Sequence, residues 1–83
     1  MVGFHRRPAE PGSPLARARV EAHSAFDTLW QNDFMTRSEA YQWLADELGI
    51  PKEDCHMLFF DETTCRRVAT ISEREIFRRT FDL

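Results

Sequence analysis

Thr36 to Pro51 reads T-R-S-E-A-Y-Q-W-L-A-D-E-L-G-I-P, and it carries a start signal, an apolar stripe and a stop signal for one helix. Thr36 and Glu39 form a capping-box pattern. In that motif the hydroxyl takes the backbone N–H of the third helical residue while the carboxylate reaches back to the cap's own N–H. Met35, just before the cap, is placed to act as a hydrophobic staple. Ala40, Tyr41, Trp43, Leu44 and Leu48 recur at helical steps and make one apolar face. Gly49 stands where a left-handed closing residue is needed, Ile50 follows to make the closing apolar contact, and Pro51 forbids continuation. A helix bounded this firmly fixes the register of its neighbours.

The same logic extends in both directions. Ser13 is a preferred N-cap and Pro14 suits the first helical position. Leu15, Ala18, Ala22, Ala25, Phe26, Leu29 and Trp30 then follow at steps of three and four, which predicts a helix over 14–31. Arg17, Arg19, Glu21, His23, Ser24 and Asp27 fall mostly off that stripe, and Gln31-Asn32-Asp33 reads as a polar turn. Ahead of it, Pro8, Pro11, Gly3 and Gly12 predict an irregular N-terminal arm over residues 1–13, with Val2 and Phe4 as its large apolar anchors.

Beyond Pro51, the acids Glu53 and Asp54 suit the positive end of a first helical turn. Met57, Leu58, Phe59 and Phe60 form an apolar cluster expected to be largely buried, as a short helix or as a tight irregular segment. Asp61 is placed to cap a further helix with Cys65, Val68, Ala69 and Ser72 on one face and Arg66 and Arg67 on the other. Ser72 and Glu75 repeat the capping-box pattern, which predicts a break there and a restart toward Phe81. There is no Asn-Gly or Asp-Gly hairpin signal and no alternating run of β-branched residues. The expectation is an all-α fold: a single helical domain over 14–83, built as a small bundle of four to five short helices.

Size and charge narrow the function classes. Eighty-three residues with seven Phe, two Trp and one Tyr supply one compact core. A domain this short buries only about 60% of its unfolded surface, so its stability is modest. Fourteen acids face ten Arg and the single Lys52, for a net charge of −3. A dedicated duplex-DNA binder shows a basic excess, so direct nucleic-acid binding through Arg66, Arg67, Arg74, Arg78 and Arg79 is the lesser alternative. Glu73 and Glu75 interleave with those arginines, which points to a solvated face with ion pairs. No apolar run approaches the ~18 residues of a membrane span, and Met1 to Pro14 lacks the apolar stretch of a signal peptide. A cytoplasmic protein is expected, with Cys55 and Cys65 as free thiols.

Four runs in order carry a family resemblance: A-H-S-A-F-D-T-L-W (Ala22 to Trp30), R-S-E-A-Y-Q-W-L-A-D-E-L-G-I (Arg37 to Ile50), C-H-M-L-F-F-D (Cys55 to Asp61) and C-R-R-V (Cys65 to Val68). Together they span roughly residues 14–70, and the ordered set is similar to a family of uncharacterised phage and bacterial proteins described as zinc-finger-containing. The resemblance implies a cysteine-pair zinc ribbon ahead of this helical half. Here the chain opens V-G-F-H (Val2 to His5), and Phe4 stands where the family tends to show a cysteine before the His. The expectation is therefore the family's helical half without the ribbon, so the ribbon's zinc is not carried over. The family has no settled activity, and what it implies is a fold and a phage or prophage origin.

The residues leave little room for catalysis or metal. Cys55, His56 and Cys65, joined by His23 or His5, are zinc-type ligands. Structural zinc sites close a tight Cys-x(2–4)-Cys loop, whereas here an adjacent Cys and His precede a long gap to Cys65. The expectation is no metal and no cofactor, with the two cysteines acting as small buried hydrophobes. Adjacent residues on a helix point about 100° apart, so Cys55 and His56 do not make a nucleophile–base pair. No phosphate loop, nucleophile elbow or paired-carboxylate motif is present, and no enzyme is expected.

The aromatics exceed what so small a core holds. Phe34, Tyr41, Phe77 and Phe81 are the ones expected to include exposed rings, beside Arg66 and Arg67. Exposed aromatics next to arginine mark protein interfaces. The reading is a protein-binding module whose partner is a host protein or nucleoprotein complex, or a second copy in a homodimer. Given the resemblance, it is expected to be a phage or prophage inhibitor or regulator, for example an anti-CRISPR, working by steric occlusion. Asp46, Glu47, Glu53 and Asp54 would then occupy a basic groove on the target.

Overall fold

The computed structural model describes residues 8–81. Three α-helices make up the fold: α1 (Pro14–Gln31), α2 (Arg37–Leu48) and α3 (Glu62–Phe81). Two 3-10 turns, Lys52–Asp54 and Met57–Phe59, join α2 to α3. No strand occurs among the described residues. Among the described residues the all-α expectation holds, and the count of four to five helices is corrected to three α-helices with two 3-10 turns.

Each helix begins where the sequence marks it. The Ser13 hydroxyl accepts from the Ala16 N–H at 3.1 Å with Pro14 in the first turn. In α2 both halves of the capping box form: Glu39 N–H donates to the Thr36 hydroxyl at 3.0 Å, and Thr36 N–H donates to the Glu39 carboxylate at 2.8 Å. Asp61 accepts from the Thr64 N–H at 2.8 Å and starts α3.

The end of α2 is equally plain. Gly49 sits at φ 69, Gly49 N–H donates to the Asp46 carbonyl, and Ile50 N–H reaches back to the Ala45 carbonyl at 3.0 Å. A Cβ built on Gly49 meets nothing within 4 Å. The glycine is there for its backbone angle and not for space. Gly49→Ala is therefore expected to lower stability by about 1 kcal/mol through left-handed strain alone. Urea unfolding followed by circular dichroism measures it, and an unchanged midpoint would show that the cap is not under strain.

The second capping pattern is not used. Ser72 is fully buried in the middle of α3, on the face that also carries Cys65 and Val68. An N-cap must sit at the solvated start of a turn, whereas Ser72 lies on the continuous inward stripe, so tertiary packing overrides the local signal. The result is one helix of 20 residues.

The chain runs up, down and up. Near its start α1 meets the start of α3, where Arg19 donates to the Phe60 carbonyl. Just past its end, the Phe34 carbonyl accepts from Arg79 late in α3 at 2.9 Å. Those two contacts make α1 and α3 parallel. Arg67 donates to the Glu47 carbonyl at the far end of α2, and Arg79 acts on Glu39 at its start, so α2 runs against α3. The main seam is between α1 and α3, where Ala18, Ala22, Cys65 and Ser72 let the backbones approach. Phe26, Leu29, Leu44, Phe60 and Val68 fill the centre with no exposed surface.

Of the apolar cluster 57–60, Met57 and Phe60 are buried but Leu58 is 42% exposed. A 3-10 turn repeats every three residues, so Met57 and Phe60 share the inward side and Leu58 faces out. The arm expected over 1–13 is described only from Pro8, where it is irregular and turns at Gly12; residues 1–7, with Val2, Phe4 and His5, lie outside the described residues.

Candidate functional site

The outward face of α3 holds the largest apolar exposure near the chain's end. Phe77 and Phe81 are 65% and 67% exposed, one helical turn apart, with ring centroids 4.6 Å from each other. Phenyl rings left in water on a domain this small are the kind of surface that partners cover. Continuing the same spacing backward gives Arg74, Thr70 and Arg67, all exposed. Arg67, Thr70, Arg74, Phe77 and Phe81 thus follow each other at steps of three and four on the solvent side, opposite the stripe that packs on α1.

The other arginines of α3 are tied down. Arg66 pairs with Glu62 at 2.8 Å, one turn back. Glu75 accepts from both Arg78 and Arg79 at 2.6 Å, and those bonds hold its carboxyl below the usual range. The ion-paired, solvated face expected for this helix is therefore present over half of it. Arg67 donates to the Glu47 backbone carbonyl, and among the described residues Arg74 makes no ion pair.

Phe34 and Tyr41 are half-buried and do not join the Phe77–Phe81 pair. Phe34 lines a small cleft of about 260 Å³ with Met35, Glu39, Trp43 and Arg79 between α2 and α3. Tyr41 stands edge-on to the core ring of Phe26 at 4.9 Å. Its outer face carries the Arg37 guanidinium at 5.1 Å, and that guanidinium also lies 5.7 Å from the Trp30 ring. Such cation–ring contacts at the surface are worth about 0.5–1 kcal/mol. This platform was legible in principle: Arg37 and Tyr41 are four residues apart on one helix.

Arg37 opens a second groove, of about 760 Å³, with Ser38, Tyr41, Lys52, Glu53, Cys55 and His56. Lys52 is held there by the Ser38 hydroxyl at 2.9 Å. The four acids expected to act together are split by the fold. Glu53 lines this groove, Asp54 is half-buried in the 3-10 turn beside it, and Asp46 and Glu47 lie exposed in the last turn of α2, where Asp46 accepts from Gln42 at 2.9 Å.

The metal-type residues are also separated. Cys55 lines the groove with His56, whose ring packs edge-on to Phe59 at 5.0 Å. Cys65 faces the Phe60 carbonyl and the Arg19 side chain. His23 is exposed on α1. No group of three or more His, Cys, Asp or Glu among the described residues is placed to hold a metal. A guanidinium beside Cys65 opposes a second cation there. Burial pushes the Cys55 thiol up to about 11 and raises Cys65 as well, with Arg19 pulling the latter part of the way back. Lying apart in this way, the described Cys and His side chains do not gather into one zinc centre.

The thiol chemistry gives a direct check. Both groups stay protonated at pH 8, and the nucleophile is the thiolate. Iodoacetamide is expected to label native protein at least about tenfold more slowly than urea-unfolded protein. Rapid native labelling of Cys55 would contradict its burial.

Sequence reasoning missed Arg19, which is 8% exposed. Its position one residue after Ala18 put it just off the apolar stripe. Its carbonyl partners come from Leu58 and Phe60, 39 and 41 residues away, a distance no local pattern spans.

A family described as a zinc-finger-containing domain matches residues 1–75. No curated protein and no solved structure matches the chain. No helix among the described residues is long and apolar enough to cross a membrane.

Proposed function

The chain belongs to the zinc-finger-containing domain family, and we propose that it works as a non-enzymatic helical module that binds another protein. The observation that carries this reading is the adjoining, solvent-facing pair Phe77 and Phe81. Aromatic side chains of this kind are enriched among the residues that dominate interface energies. The dispersal of Cys55, His56, Cys65 and His23 supports leaving metal out of the mechanism.

The role we infer is that of a phage- or prophage-encoded inhibitor or regulator in a bacterial host cell, an anti-defence protein such as an anti-CRISPR being one concrete form. The mechanism is steric: the aromatic pair anchors the module, and the bulk of the bundle covers the target's working surface. The split of the acids alters the finer picture. Asp46 and Glu47 form one acidic end, while Glu53 lines a groove with Arg37 and Lys52 and Asp54 sits in the turn beside it, so mimicry of a nucleic-acid strand by all four together is not part of the reading.

The test is co-purification from bacterial lysate under gentle salt, run beside the double variant Phe77→Ala, Phe81→Ala. A host protein retained by the native chain and released by the variant is the expected result. Retention of no protein by either would end the reading. Alanine is the better helix former of the two residue types, so the variant is expected to keep its fold.

A further inference from the structure

We propose that the outward face of α3 takes an acidic, apolar segment of its partner, with apolar side chains over Phe77 and Phe81 and carboxylates over Arg67 and Arg74. This rests on the protein-binding reading and adds the chemistry of what is bound.

The charge distribution supplies the argument. Residues 8–61 hold four Lys or Arg against ten Asp or Glu, while α3 holds five Arg against three Glu. One cationic helix is therefore set into an acidic body. Within that helix Glu62 and Glu75 serve Arg66, Arg78 and Arg79, and the third glutamate, the exposed Glu73, borders the stripe beside Arg74 without belonging to it, so the five stripe positions themselves carry two cations and no acid. The stripe has two halves: Arg67, Thr70 and Arg74 toward the start, Phe77 and Phe81 toward the end. A complementary surface needs negative charge beside the first half and apolar groups over the second. The rings exclude water from neighbouring contacts, which strengthens a carboxylate–guanidinium bond formed at the edge.

The same pattern argues against a second copy docking through this face. Two such stripes bring like charge to like charge, which disfavours association. It also argues against a nucleic-acid duplex. Phosphate offers nothing to two exposed phenyl rings on one helix face, and α3's neighbours are acidic.

The experiment uses the full chain and fluorescence anisotropy with three labelled amphipathic helical peptides. They share leucine anchors at steps of three and four and carry Glu, Gln or Lys at their polar positions. A labelled DNA duplex is the fourth probe. Native protein is expected to bind the Glu peptide most tightly, and added salt is expected to weaken it. Phe77→Ala with Phe81→Ala is expected to weaken that binding at least about tenfold. Arg67→Glu with Arg74→Glu is expected to weaken it similarly and to turn the preference toward the Lys peptide. Circular dichroism confirms that both variants fold.

If the Glu and Gln peptides bind alike and the Arg variant changes nothing while the Phe variant still weakens both, the acidic chemistry is overturned and the protein-binding reading stands. Binding of none of the peptides overturns this inference, and the lysate experiment then judges the broader reading separately. Tighter binding of the duplex than of any peptide, or concentration-dependent self-association abolished by the Phe variant, also overturns it.

Discussion

Phe26→Ala is expected to destabilise the protein by about 3–5 kcal/mol, the range for removing a buried phenyl ring from a packed core. Phe26 has no exposed surface, and it lies among Ala22, Leu29, Leu44 and Phe60 in the centre of the bundle. A domain of this size has a total stability near the low end of about 5–15 kcal/mol. The substitution removes most of that margin, and a large fraction of the variant is expected to be unfolded at 37 °C. The loss has a second, local part. Tyr41 uses Phe26 as its edge-on support, and Arg37 uses Tyr41 in turn. The groove beside α2 should lose its shape before the helices melt. Thermal denaturation by circular dichroism, with near-ultraviolet signal for Tyr41 and Trp30, follows both parts. Phe26→Leu keeps most of the volume and is expected to lose well under half as much. A loss below about 1 kcal/mol for the alanine variant would mean that the bundle collapses freely into the cavity, which close-packed cores do not do.

How much of this was readable in the sequence follows from the range of each interaction. Ser13, Thr36 and Asp61 act on backbone groups three residues away, and each of their caps forms as the spacing predicts. Gly49 needs only its own dihedral. The stripe Ala18, Ala22, Phe26, Leu29 has helical period and is buried along its length. The errors arise where a residue answers to something far away. Ser72 has a perfect local capping pattern with Glu75, yet the seam with α1 claims it for the interior. Leu58 belongs to an apolar run by composition, yet the three-residue repeat of its turn points it outward. The candidate site divides the same way. Phe77 and Phe81 were flagged because the core is too small for every ring. Phe34 and Tyr41 were flagged on the same ground but are half-buried, drawn in by contacts with α3 and with Phe26 that single-chain periodicity does not report. The separation of Asp46 and Glu47 from Glu53 and Asp54 comes from the fold-back after Pro51, which the sequence marked as a stop without giving the direction of the next turn.

Arg19→Ala is expected to lower stability by about 2–4 kcal/mol, from three losses together. The Arg19 guanidinium donates to the carbonyls of Leu58 at 3.1 Å and Phe60 at 3.4 Å, which are the trailing carbonyls of the turn that leads into α3. Removing the donor takes a charge-assisted bond from the buried Phe60 carbonyl, which the Cys65 thiol also faces at 4.0 Å, and a hydrogen bond to a charged group is worth about 1.5–3 kcal/mol. Its aliphatic stem packs at the α1–α3 seam, so truncation also opens a cavity. The third loss is the tie itself, because among the described residues no other side chain holds the Leu58 carbonyl. Arg19→Met separates these parts. Methionine keeps the stem and removes the charge, whose burial without a carboxylate partner opposes folding. The expected order of stability is native, then methionine, then alanine. Methionine variants as stable as the native chain would mean that guanidinium desolvation cancels both hydrogen bonds. Cys65 reports the same contact independently. Burial raises its thiol and Arg19 opposes that rise, so either variant should lift the thiol further and slow its alkylation at alkaline pH. Cysteine reactivity unchanged in both variants would show that Arg19 does not reach Cys65, and the account of the buried guanidinium as the clasp between α1 and the start of α3 would fall with it.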